Sequence, residues 1–126
     1  MFVPDRLLNC SAALEALDRT VTGNRNSTFK TRLDRCANLA GEPFSALVGD
    51  IAGWAEAVRQ DRDDVAHHFG RRTRSSSIGT FYLWQSLYFL YTMCMFRLSN
   101  APQKAFDQIK ENQSYNLLAR EIRSFI

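Results

Sequence analysis

From Ile78 to Leu98 the chain holds apolar and aromatic side chains almost without relief, broken only at Gln85, Ser86, Thr92 and Arg97. A helix apolar nearly all round must be covered on most sides, by its own domain or by a second copy. Its length reaches the roughly 18 to 20 residues that a membrane span needs. The polar interruptions favour a central core or dimer helix over a span, so no membrane association is expected.

The rest of the chain reads as shorter helices arranged around that one. Pro4 and Asp5 suit a first turn, and Leu7, Cys10, Leu14, Leu17 and Val21 then recur at helical spacing. A loop over 22–27 precedes a second helix, capped by Ser27 or Thr28 and carrying Phe29, Leu33, Cys36 and Ala40. Gly41-Glu42-Pro43 closes it. A longer helical stretch follows with Phe44, Leu47, Val48, Ile51, Trp54, Ala55 and Val58 inward, weakened at Gly49 and Gly53, where a kink fits. Beyond Leu98, Asn100 and Pro102 mark a stop and restart, Phe106 and Ile109 a short helix, and Tyr115, Leu118, Ile122 and Phe125 the last. No segment alternates with a period of two between hairpin turns. The expectation is an all-α, up-and-down helical bundle of four to six helices, in one domain over residues 1–126.

The positive charge is carried almost entirely by arginine, whose planar fork suits phosphate, although a net charge of +3 is mild. Cys10, Cys36 and Cys94 are odd in number and lack a C-x-x-C spacing, which argues for a reducing compartment. The start shows no signal-peptide pattern, so the cytoplasm is the expected location.

Charge and both histidines gather between Val58 and Phe69. At helical spacing Val58, Arg62, Val65 and Phe69 form an inward stripe with an arginine set into it, and an inward arginine needs an anion. Asp63 and His67 stand four apart, close enough for the carboxylate to hold the imidazole. A titrating group, a cation and an orienting group are what RNA cleavage by its own 2′-OH requires without a metal.

Arg62-Asp63-Asp64-Val65-Ala66-His67 resembles the R-polar-x-apolar-small-H signature of the HEPN superfamily, many of whose members are metal-independent endoribonucleases. Its flanking helices are most similar to the Apea-like HEPN group, a likeness that covers nearly the whole chain. The resemblance implies that His67 transfers protons, Arg62 stabilises the scissile phosphate and Asp63 orients, giving a 2′,3′-cyclic phosphate and a 5′-OH. Asp63 stands where family members often have asparagine and adds negative charge beside a phosphate. The resemblance further implies RNA as substrate, a homodimer with two motifs paired across its interface, and a role in phage defence or a toxin-type response with a cognate antitoxin. Apea-like domains usually end larger chains, so further domains are also expected.

Arg71, Arg72 and Arg74, after Gly70, form a basic break and a candidate phosphate grip. The bland alternatives are a solvated ion-pair network of Arg62 with Asp61, Asp63 or Asp64, and core roles for Tyr82, Trp84 and Tyr88. Asp63/His67 and Asp64/His68 share a spacing that suits metal ligands, but nothing in the sequence completes a shell, so neither metal nor cofactor is expected. On one straight helix Arg62 and His67 stand about 140° apart around the axis and about 7.5 Å apart along it. Either the helix breaks at Asp61–Asp64 or a second copy completes the site. The competing function is a non-catalytic helical module for dimerisation or for binding a nucleotide or partner protein.

Overall fold

A computed structural model describes residues 3–68 and 77–126, with their side chains over 5–66 and 78–126. Among the described residues the chain is all-α. The helices are α1 (Val3–Thr22), α2 (Phe29–Ala40), α3 (Glu42–Val48), α4 (Ile51–His68), α5 (Ser77–Leu98), α6 (Gln103–Glu111) and α7 (Gln113–Glu121), ending in a 3-10 turn, Ile122–Phe125. The bundle class matches the sequence pattern, but there are seven α-helices where four to six were expected.

The break at Gly49 accounts for the extra helix. Gly49 adopts φ 79°, and its N–H donates to the Ser45 carbonyl, which ends α3 inside the stretch expected to run on to Val58. Asp50 then restarts the chain: its Oδ1 accepts from the Gly53 N–H at 3.1 Å at the head of α4. Farther on, the Asn112 side chain accepts from the N–H groups of Ser114 and Tyr115, so α7 begins at once after α6. At α2 the expected cap is Thr28, whose hydroxyl accepts from the Thr31 N–H at 3.2 Å, a contact worth about 1 kcal/mol.

The core lies between α1, α2, α4 and α5, with α3, α6 and α7 closing one end. Trp54 and Phe44 meet edge to face at 4.8 Å, and both are fully buried. The Trp54 indole N–H donates to Ser86 Oγ at 2.9 Å, and Ser86 donates onward to the Leu83 carbonyl. A polar residue in the most apolar helix is thereby satisfied, as burial demands. At the closing end the Tyr115 hydroxyl donates to the Pro43 carbonyl at 2.6 Å. Arg97 donates to the Ala40 carbonyl from Nε and Nη2, satisfying the last turn of α2, and lies over the Phe106 ring.

The long apolar helix α5 packs most extensively on α1, then on α2. It is covered on most sides, as its composition suggested, with Tyr82, Trp84, Phe89, Tyr91 and Phe96 half-buried against the core. Leu83, Leu87, Leu90, Met93 and Cys94 are buried, whereas Ile78, Tyr88, Met95 and Leu98 are exposed. Val21, expected inward on α1, is also half exposed, on the rim of a groove between α1 and α2. Among the described residues no helix is long and apolar enough to cross a membrane.

Candidate functional site

Helix α4 runs without interruption from Ile51 to His68. The expected alternative of a break at Asp61–Asp64 is therefore excluded, and Arg62 and His67 keep the angular separation of a continuous helix.

The inward line of α4 differs from the one the sequence suggested. Trp54, Ala57, Val58 and Asp61 are buried, and Val65 packs half-buried against the core. Asp61, read as a member of a solvated charge network, is fully buried. Arg62 stands on the flank with 27% of its side chain exposed. Its Nη1 donates to Glu15 Oε1 on α1 at 2.9 Å, and its guanidinium carbon lies 3.9 Å from the centroid of the Phe29 ring on α2. The anion that an inward arginine demands is thus supplied by a residue 47 positions away. No helical spacing links Glu15 to Arg62, so the sequence offered no signal for the pair.

Asp63 lies beside it. Arg59 Nη1 donates to Asp63 Oδ2 at 2.9 Å, while Arg62 Nε stands 3.8 Å from Asp63 Oδ1. Arg59 also grips Glu56 from Nε and Nη2, and Gln60 and Lys30 reach the same carboxylate. These donors, Arg59 foremost and then Gln60, hold the Glu56 carboxyl down to about 2. The motif surface is therefore an ion-pair lattice with both signs of charge. His67 and His68 belong to the last turn of α4, and their side chains lie outside the described set. Arg71, Arg72 and Arg74, the candidate phosphate grip, and Phe69 also lie outside the described residues. The described site consists of Arg62, Asp63, Glu15 and Phe29.

A second charge cluster escaped the sequence reading. Asp18 on α1 is almost fully buried and accepts from Arg32 and Arg35 on α2. The hydrogen bonds from Arg35 hold its carboxyl below the usual aspartate range, with burial opposing and Arg32 assisting. Cys94 and Cys36 also meet inside the bundle, where the Cys94 thiol donates to the Cys36 carbonyl at 3.3 Å. A separate hydrogen bond between the two side chains lowers the Cys36 pKa, whereas that bond and burial push Cys94 far above the ordinary thiol range.

Of the aromatic residues read as core, Tyr82 and Trp84 are half-buried against it. Tyr88 is 58% exposed and belongs to the open face of α5. Trp84 and Tyr88 line a groove with Gln85, Phe89, Asn112 and Ser114, on the α5–α7 side of the bundle. Among the described residues no three His, Cys, Asp or Glu side chains are grouped to hold a metal ion. No family model matches the chain, and no curated protein or solved structure matches it.

Proposed function

We propose that this chain is a metal-independent endoribonuclease of the HEPN type, active as a homodimer. The observation that carries the proposal is the placing of Arg62. It stands on an unbroken helix, about a quarter exposed, stacked on Phe29, with His67 about 1.4 turns further along. On that helix the two positions stand about 140° apart around the axis. A second copy related by a two-fold axis brings an Arg62 to the first copy's His67. The open apolar face of α5, with Ile78, Tyr88 and Met95, is surface that such pairing would cover.

In the proposed reaction a base withdraws the proton of a ribose 2′-OH, and the 2′ oxygen attacks the adjacent phosphorus. Charge accumulates on the non-bridging oxygens, where the Arg62 guanidinium balances it. The bond from phosphorus to the 5′ oxygen breaks, and an acid returns a proton to that leaving oxygen. His67 serves the proton transfers and Asp63 orients it. The products carry a 2′,3′-cyclic phosphate and a 5′-OH. A defence or toxin role belongs to the same proposal, with an antitoxin or further domains as the partners that restrain it.

A second reading is favoured by the pairing of Arg62 with Glu15 and of Asp63 with Arg59. Both are complete within the chain, as in a non-catalytic module whose α5 face or groove binds a second copy, a nucleotide or a protein. Incubation of bulk RNA in excess EDTA separates the two. The nuclease reading expects cyclic-phosphate ends that vanish in Arg62→Ala and His67→Ala. Intact RNA with folded, dimeric protein establishes the second reading. Sequencing of RNA ends after induction in cells then identifies the target.

A further inference from the structure

We propose that Glu15 is an internal competitor for the anion that Arg62 holds, so that an RNA phosphodiester binds there only by displacing a carboxylate. The inference rests on the ribonuclease reading for its choice of ligand. Its geometry stands on three side chains from three helices. Glu15 of α1 takes Nη1 of Arg62 at 2.9 Å, and Phe29 of α2 supports the flat face of the guanidinium at 3.9 Å. Glu15 and Arg62 keep 33% and 27% of their side chains exposed, so the carboxylate can swing into water when it leaves. Phe29 is buried and does not depend on Glu15, so the guanidinium stays in place after the carboxylate has gone. A phosphodiester oxygen then meets the Nη1 donor that Glu15 released, in a charge-assisted hydrogen bond.

The surrounding charge gives the exchange its cost. Between Glu56 and Asp64 helix α4 carries Glu56, Asp61, Asp63 and Asp64 against Arg59 and Arg62. Glu15 adds a further negative charge at Arg62, the arginine that lies over the Phe29 ring. It therefore blocks a phosphate twice, by occupying a donor and by repelling the incoming charge. Glu15→Gln removes the charge and keeps an oxygen that accepts from Nη1, so it isolates competition from support.

The test measures binding of a 2′-O-methyl oligoribonucleotide, which lacks the attacking hydroxyl and so is not consumed, by fluorescence anisotropy. Glu15→Gln is expected to bind it about three- to tenfold more tightly than the unaltered protein. Glu15→Ala should show a gain of the same sign, and Arg62→Ala in either background should erase it. Circular dichroism checks that each variant is folded. Equal or weaker binding by folded Glu15→Gln and Glu15→Ala overturns the competitor, as does a gain that persists without Arg62. Cleavage of unmodified RNA is scored separately. A binding gain without cleavage by any variant keeps the competitor and refutes the nuclease; cleavage without a binding gain does the reverse.

Discussion

Asp18 receives Arg35 through two hydrogen bonds, Nε at 2.8 Å and Nη2 at 2.6 Å, and these tie α1 to α2 at the point where Arg32 also enters. Arg32 is 4% exposed, so its charge has no recourse to water if the carboxylate is lost. Replacing Asp18 by Asn keeps the shape and leaves that charge uncompensated. Asp18→Asn is expected to destabilise the fold by about 3 kcal/mol, read from urea unfolding. A change below about 0.5 kcal/mol would show that the cluster is solvated and carries no buried charge.

The same carboxylate sets an acid limb. Asp18 is depressed by Arg35, and Glu56 by Arg59, so the folded chain binds fewer protons at these sites than the unfolded chain. Their contribution is fully present above the unfolded values of about 4. It is lost as pH falls through the folded values, which for Glu56 lies at about 2. The urea midpoint of the unaltered protein should therefore drop below about pH 4. Asp18→Asn should drop less steeply. Parallel profiles for the two proteins would remove Asp18 from the account.

Neighbours on α5 should behave oppositely. Leu87 is fully buried in the protomer and Tyr88 is exposed. Leu87→Asp places an unpaired carboxylate in the core and should unfold the chain, seen as loss of helical circular dichroism. Tyr88→Asp should leave the helical signal intact, convert dimer to monomer in light scattering, and remove RNA cleavage. A folded, monomeric Tyr88→Asp protein that still cuts RNA at the original rate contradicts the dimeric site.

His67→Ala is expected to abolish cleavage, at least a hundredfold by the usual scale of general acid–base catalysis, while His68→Ala largely spares it. His67 alone keeps the signature spacing to Arg62 and stands four residues beyond Asp63. Single-turnover rates on one oligonucleotide measure both. Equal losses in two folded variants would contradict the assignment.

Much of the fold was legible because burial on a helix leaves a period. Leu7 and Leu14, Phe29, Leu33 and Cys36, and Leu83 with Leu87 and Leu90 recur at helical spacing and are buried. Helix boundaries were less legible. Gly49 ends α3 through a positive φ that a general weakness for kinking does not specify. The site was legible only along α4. Partners of Asp18 and Arg62 arrive from other helices across 14 to 47 residues, and periodicity within one helix carries no trace of them. Asp61 misled in the opposite sense: surrounded by charge in sequence, it looks solvated, yet its angular position beside Val58 and Val65 turns it inward.

The composite site is tested most directly by mixing two inactive proteins. Arg62→Ala and His67→Ala homodimers, each carrying a different affinity tag, are dissociated together, reassociated and isolated through both tags. If each site takes Arg62 from one chain and His67 from the other, every heterodimer holds one intact site. The unfractionated mixture should then recover about a quarter of the original cleavage rate, and the doubly tagged fraction about half. Doubly tagged heterodimers that cut RNA no faster than either parent would contradict a site shared between two chains.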